Sequence, residues 1–183
     1  MKTDARVRYT KMRIEEAFLT QLEKKPVNRI TVRELCEMAE INRATFYTHY
    51  ADVYDLLEQL EQKALEEIRM RACEARDRGE NLLLGLLYGM IAGNATAALL
   101  ASENGDPAFH NRTTALLYDL YRPVLAARLP RLTPHEQEEV YRFICGGCAG
   151  LMAAWYEEGR ITPPEKLSQR IYSMVEKILS SMA

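Results

Sequence analysis

The side chains with the greatest hydrogen-bonding capacity cluster in the run NRATFYTH, residues 42–49. Arginine, threonine, tyrosine and histidine can bond to the edges of base pairs and to phosphate oxygens. A short helix that presents such groups outward has the dimensions that fit the major groove of DNA. The run therefore predicts contact with double-stranded DNA rather than chemistry on a bound substrate.

Residues that could support catalysis are sparse. The three histidines, His49, His110 and His135, have no metal-ligand spacing with one another or with a cysteine. Gly146 and Gly147 lie in a helical pattern rather than after a strand, where a phosphate-binding glycine loop belongs. We therefore expect no catalytic residue, no metal site, no cofactor and no enzymatic activity.

The four cysteines show no metal-ligand pattern apart from one CxxC pair. Cys145 and Cys148 form a CxxC pair, but the pair lies within an apolar, glycine-rich helical run. Free thiols in a core are the favoured interpretation, and redox sensing is the alternative.

Two helix starts position the polar run. Thr31 and Glu34 have the spacing of a capping box, and Asn42 is a good N-cap residue for a second helix over residues 43–50. On that second helix Phe46 and Tyr50 share the face expected to pack inward. The opposite face carries Arg43, Ala44, Tyr47 and Thr48, with Thr45 and His49 on its flanks.

The segment TVRELCEMAEINRATFYTHYADVYDLL, residues 31–57, resembles the helix-turn-helix of the TetR family of one-component bacterial transcription regulators. The resemblance extends over about residues 9–57, and the run Thr45–Tyr50 is its most specific part. Two positions depart from the family pattern. Glu40 stands where members usually place glycine in the turn, and Val53 stands where they usually have a lysine that contacts phosphate.

The resemblance implies roles position by position. Arg43 would read guanine, whose O6 and N7 match its fork, Ala44 would meet a thymine methyl, and Tyr47 would be the central groove contact. The full set implied to contact DNA is Thr31, Arg33, Asn42, Arg43, Ala44, Thr45, Tyr47, Thr48 and His49.

Charge is distributed unevenly along the 183 residues. Residues 1–50 contain 10 Lys and Arg against 7 Asp and Glu, whereas residues 51–183 contain 14 against 19. The overall net charge of -2 is therefore compatible with a positive DNA-binding face near the N-terminus. The sequence shows no apolar run long enough for a membrane span and no secretion signal, so we expect a cytoplasmic protein.

Helical periodicity continues through the rest of the chain, and no strand pattern is present. We expect an all-α fold of about nine helices, with a DNA-binding domain over residues 1–51 and an effector-binding and dimerisation domain over residues 52–183. Within the second domain we expect a helix over residues 82–101, then a short turn with Phe109 and His110 ahead of a helix over residues 111–129.

The last two helices carry more apolar and small residues than a monomer of this size would cover. The family resemblance implies that they pair with the same helices of a second copy in a four-helix interface. The residues predicted to form it are Phe143, Gly146, Gly147, Gly150, Ala154, Ile171, Met174, Val175 and Ile178.

The resemblance also implies a cavity among the middle helices for a small-molecule effector. Its candidate lining residues are Tyr88, Met90, Asn94, Phe109, His110, Tyr118, Tyr121, Met152 and Trp155. The expected function is a ligand-responsive regulator, a repressor, which binds a pseudo-palindromic operator as a homodimer. The run FICGGCAGLMAAWYEEG, residues 143–159, is also similar to a subgroup that includes a coactivator, so control by a partner protein docking on the C-terminal helices is the alternative.

Overall fold

A computed structural model describes residues 2–77, 95–100 and 102–183 of the chain. All regular elements within these ranges are helical, as the sequence predicts. They are α1 (Lys2–Leu22), a 3-10 turn (Val27–Arg29), α2 (Val32–Ala39), α3 (Arg43–Tyr47), α4 (Val53–Asp77), α5 (Ala95–Leu100), α6 (Pro107–Arg128), α7 (Pro134–Glu157) and α8 (Pro164–Met182).

The number of helices differs from the prediction of about nine. Seven α-helices of six residues or more and the five-residue α3 are present in the described ranges. The separate turn predicted at Phe109 and His110 is instead the first turn of α6. Asp106 accepts a hydrogen bond from the Ala108 N–H (2.9 Å) and Pro107 takes the first helical position, so the helix begins before Phe109. Most of the helix predicted over residues 82–101 lies outside the described residues.

The chain divides into two compact units. The first comprises residues 1–64 and 96–110, and the second comprises residues 65–95 and 111–183. The predicted domain boundary after residue 51 therefore stays a prediction, because the first unit also includes the start of α4 and a segment from the middle of the chain.

The core of the first unit forms around α1. The apolar stripe of this helix is almost completely buried: Ile14, Ala17, Phe18 and Leu22. Leu35, Cys36 and Ala39 of α2 are buried as well, and so are Leu56, Leu57 and Leu60 of α4. Each leucine, isoleucine or phenylalanine among them contributes about 1.5–3 kcal/mol when it is fully removed from water. This burial holds the short helices α2 and α3, which are too short to be stable alone.

The turn between α2 and α3 uses a left-handed residue. Glu40 has φ 55° and ψ 44°, and the Ile41 N–H donates to the Cys36 carbonyl (3.0 Å). This is the arrangement that glycine normally provides at a helix C-terminus. Arg13 of α1 forms an ion pair with the Glu40 carboxylate (3.2 Å). The family's turn geometry is therefore present without its glycine.

Helix α3 is shorter than predicted. It ends at Tyr47 rather than at residue 50. The Thr48 hydroxyl donates to the Thr45 carbonyl (2.6 Å), and the N–H groups of both His49 and Tyr50 donate to the Phe46 carbonyl (2.9 and 3.0 Å). These bonds complete the last turn in a tighter form, which directs Tyr50 into the core.

The loop Ser102–Asp106, which the sequence marks only as a break, is anchored in the first unit. The Asn104 side-chain amide donates to the Leu22 carbonyl at the end of α1 (2.9 Å), and the Asn104 carbonyl accepts from the Val27 N–H (2.9 Å). Gly105 lies so close to Leu100 that a Cβ would be 1.9 Å from the Leu100 carbonyl oxygen. The loop therefore fixes the segment that leads into α2.

The second unit has a core of its own, built by α6, α7 and α8 with the later part of α4. Leu125, Leu129, Tyr141, Trp155 and Ile171 are among its buried members. Thr133 and Glu136 form a capping box at the start of α7. The Arg128 guanidinium binds the Glu176 carboxylate through two nitrogens (3.0 and 2.9 Å), which joins α6 to α8. No helix in the described ranges is both long enough and apolar enough to cross a membrane.

We predict that Gly105→Ala destabilises the protein by about 1–3 kcal/mol, because the added methyl group must displace the Leu100 backbone. Urea unfolding measures the change. Glu103→Ala, at an exposed neighbour, is the control and is expected to stay within about 0.5 kcal/mol of wild type. Equal midpoints for the two variants would contradict the close approach.

We predict that Glu40→Gly stabilises the protein by about 0.5–1 kcal/mol. A residue with a side chain raises the free energy of the folded state by about 1–2 kcal/mol in the left-handed conformation, and glycine avoids this cost. The greater freedom of glycine in the unfolded chain offsets part of the gain in stability. Glu40→Ala removes the same exposed ion pair but keeps the strained φ, so it separates the two effects. If Glu40→Gly unfolds at the same denaturant concentration as Glu40→Ala, residue 40 is not strained.

Candidate nucleic-acid interface

The predicted DNA-contacting residues form an outward face on α2 and α3. Tyr47 is 56% exposed, while its neighbour Phe46 is completely buried and Tyr50 is 2% exposed. Of the nine predicted residues, Thr45 and His49 are partly buried, and the others are exposed: Thr31, Arg33, Asn42, Arg43, Ala44, Tyr47 and Thr48. The local fold therefore separates a core face from a polar outer face over one and a half turns of helix.

The start of α2 is fixed by a reciprocal cap. The Glu34 N–H donates to Thr31 Oγ1 (3.3 Å), and Glu34 Oε2 accepts from the Thr31 N–H (3.0 Å). Lys25 Nζ lies 2.6 Å from Glu34 Oε1. Together the Lys25 ammonium and both groups of Thr31 lower the pKa of the Glu34 carboxyl to about 2. Since this pKa is depressed, the interaction stabilises the fold above the ordinary carboxyl pKa and is lost as the pH falls towards 2.

The start of α3 is fixed by Asn42. Its Oδ1 accepts from both the Thr45 N–H (2.7 Å) and the Thr45 hydroxyl (3.0 Å). Asn42 and Thr45 are therefore engaged with each other, and they shape the helix start from which the next side chains project. The Tyr47 ring stands edge-on against Phe46, with 5.6 Å between ring centroids. A buried ring thus limits the rotamers of the exposed tyrosine.

A polar network behind α3 ties it to α1 and α4. The Tyr50 hydroxyl donates to Glu15 Oε1 (3.4 Å), and Lys63 Nζ binds the other oxygen of Glu15 (3.1 Å). Burial, and then the Glu15 carboxylate, raises the pKa of Tyr50. Tyr50 therefore stays a neutral donor, and the exit of α3 is held against two longer helices.

Asp52 precedes α4, and its side chain accepts from the N–H groups of Tyr54 and Asp55 (2.8 and 2.9 Å). Val53, which replaces the family's phosphate-binding lysine, is 7% exposed and packs in the core. This position therefore adds a packing contact where the family has a cation.

The candidate effector residues that the structure describes are distributed over both units. Phe109 is completely buried in the first unit, whereas Tyr118, Tyr121, Met152 and Trp155 belong to the core of the second. The indole N–H of Trp155 donates to the Thr162 carbonyl (2.7 Å), so its polar atom already has a protein partner. Tyr88, Met90 and Asn94 lie outside the described residues, as does the side chain of His110.

Tyr141 is a buried aromatic residue of α7 that the sequence predictions do not include. Its hydroxyl donates to the Thr114 carbonyl (3.0 Å), and its ring lies 5.1 Å from that of Tyr118. Its spacing from Ile144 and Cys148, three and seven residues on, places it on the buried face of α7 and could have identified it.

Burial raises the pKa of Cys148 to about 12 and also raises that of Cys145, so both thiols stay protonated and poorly reactive.

The residues predicted for the dimer interface divide into an exposed and a buried group. Ile171 and Val175 are 1% and 4% exposed and belong to the core of the protomer, and Ile178 is partly buried against it. The remaining six are exposed: Phe143, Gly146, Gly147, Gly150, Ala154 and Met174. One stripe along α7 contains all of these except Met174, together with the exposed Leu151: Phe143, Gly146, Gly147, Gly150, Leu151 and Ala154.

Comparison with known proteins agrees with this architecture. A TetR-type family model described as "Transcriptional regulator C-terminal region" matches residues 87–177. The uncharacterized HTH-type transcriptional regulator YxbF of Bacillus subtilis is 28% identical over an alignment of 181 positions, which covers 94% of this chain and 46% of that protein. The chain therefore spans about half the length of this curated relative.

Two solved structures share the fold. A TetR transcriptional regulator from Streptococcus agalactiae matches with a TM-score of 0.67 at 22% identity, over 96% of this chain and 98% of that one. The fatty acid degradation regulator FadR from Bacillus halodurans matches with a TM-score of 0.73 at 12% identity, over 91% and 94%.

These matches cover the C-terminal helices as well as the helix-turn-helix of residues 31–50. They support the assignment of the chain to the TetR family of transcriptional regulators, whose members bind DNA and act as dimers.

Proposed function

We propose that this chain is a ligand-responsive repressor that reads a pseudo-palindromic operator as a homodimer. The observation that carries the proposal is the exposed Tyr47, which packs against buried Phe46 on a helix that also exposes Arg43 and Ala44. Arg43 supplies the fork that recognises guanine, and Tyr47 contacts the centre of the groove. Thr31, Thr48 and His49 bind phosphate or sugar and set the register.

The glycines of α7 support a dimer. A Cβ built on Gly146, Gly147 or Gly150 meets no atom within 4 Å. Each glycine inside a helix lowers stability by about 0.5–1 kcal/mol relative to alanine, and no contact within the described part of the chain offsets this cost. Close approach of a second helix does explain it, and Phe143 beside the glycines is 73% exposed. We place the two-fold interface on this α7 stripe together with Met174 of α8.

The effector is proposed to be a small apolar or aromatic molecule with one polar group. Tyr118 and Met152 support this class, since both are partly buried at the edge of the second unit's core. An aromatic ring and a flexible thioether can adapt to an apolar ligand. Binding there is proposed to release the protein from its operator.

A coactivator controlled by a partner protein is the second candidate. The same exposed side chains on α7 and α8, Phe143, Leu151 and Met174, are an apolar face that another protein could cover. The two candidates differ in oligomeric state, because a face used by a partner protein leaves the isolated chain monomeric.

We predict that selection from a random DNA pool enriches an inverted repeat with wild type, and that Tyr47→Ala loses this enrichment because its central groove contact is gone. Tyr54→Ala removes a tyrosine of equal exposure, 56%, on the first turn of α4 and is expected to enrich the wild-type sequence. Enrichment of the same repeat by Tyr47→Ala would remove Tyr47 from the proposed contacts. An absence of any enriched sequence at low salt would contradict the repressor proposal.

We predict that Gly147→Leu converts the dimer to a monomer, because the larger side chain separates the two copies of α7. Sedimentation at micromolar concentration measures the change. Ala127→Leu adds the same bulk to an exposed position on α6 and is expected to remain dimeric. A monomeric wild type would favour the coactivator candidate, and a dimeric Gly147→Leu variant would place the interface elsewhere.

A further inference from the structure

The helix-turn-helix is not itself positively charged. Residues 31–50 contain two arginines, Arg33 and Arg43, and three glutamates, Glu34, Glu37 and Glu40, so their balance is -1. A DNA-binding surface gains most of its affinity from cations that neutralise phosphates. The three carboxylates therefore oppose the function proposed for this surface unless each has another task.

Two of the three glutamates do have a structural task. Glu34 closes the capping box of α2 and binds Lys25 (2.6 Å). Glu40 forms the turn and binds Arg13 (3.2 Å). Both pairs link the helix-turn-helix to residues that precede it in the chain.

Glu37 differs from the other two. Its Oε1 accepts from Arg33 Nε (2.8 Å) within α2 itself, and the two side chains are 64% and 72% exposed. An exposed pair one helical turn apart adds little to stability. The bond instead occupies the guanidinium of one of the two arginines in this segment. Within the described residues, Arg43 has no ion-pair partner.

We propose that Glu37 attenuates the affinity for DNA by holding the Arg33 guanidinium away from phosphate. The inference rests on the proposed DNA-binding role of this face. A guanidinium binds carboxylate and phosphate through the same fork of donors, so the two acceptors compete for Arg33. Binding to DNA then exchanges the Glu37 carboxylate for a phosphate oxygen.

The test is the affinity of Glu37→Gln for two duplexes of equal length, the one enriched by selection and one of mixed sequence, over a series of salt concentrations. We expect the variant to bind both duplexes about threefold to tenfold more tightly at low salt, with a salt slope steeper by about one. The gain should appear on both because phosphate contacts carry no sequence information.

Glu138→Gln is the matched control. Glu138 forms an equivalent pair with Arg142 (2.7 Å) on α7, and its substitution changes the net charge by the same amount. We expect its affinity to equal that of wild type. In an Arg33→Gln background, Glu37→Gln should lose most of its effect, since the two residues act as one pair. Glu37→Ala repeats the test if the glutamine variant folds poorly.

Three outcomes would overturn the inference. They are an unchanged affinity of Glu37→Gln, a gain that Glu138→Gln matches, and a gain confined to the enriched duplex, which would assign Arg33 to a base. Failure of the proposed DNA-binding function would give a different result from these three, because wild type itself would then bind neither duplex.

Discussion

The left-handed turn at Glu40 is the constraint on which the proposed DNA-binding face depends. The bond from the Ile41 N–H to the Cys36 carbonyl ends α2, and Asn42 begins α3 only two residues after Glu40. This short distance fixes the angle between two helices that are too short to be stable alone. The face is then held from behind, where α1 supplies the buried Phe18 and the Arg13 that pairs with Glu40.

Strain and compensation are both visible at this turn. A non-glycine residue in the left-handed region raises the free energy of the folded state, and the ion pair with Arg13 is too exposed to recover much of it. Burial of the surrounding apolar side chains therefore maintains the turn. The anchored loop at Asn104 and Gly105 acts on the same part of the molecule, because it fixes the end of α1 and the segment that leads into α2.

Local patterns in the sequence predicted the parts of the fold that depend on local interactions. The caps at Thr31 and Asn42 and the inward positions of Phe46 and Tyr50 are as expected, because capping and periodicity act within a few residues. The early end of α3 differs from the prediction. The Thr48 hydroxyl donates to the Thr45 carbonyl and so competes with the backbone N–H groups that would continue the helix. Local sequence patterns cannot predict the role of Asn104, because its hydrogen-bond partner Leu22 is 82 residues away in the chain.

We propose that two copies of the chain bind the two halves of one operator. Sedimentation of the protein with duplexes that carry one or two copies of the enriched half-site measures the number of chains bound. We expect two chains on the two-site duplex and much weaker binding to the one-site duplex, since half-sites about 34–36 Å apart engage both heads of a dimer. One chain per duplex, with equal affinity for both DNAs, would contradict it.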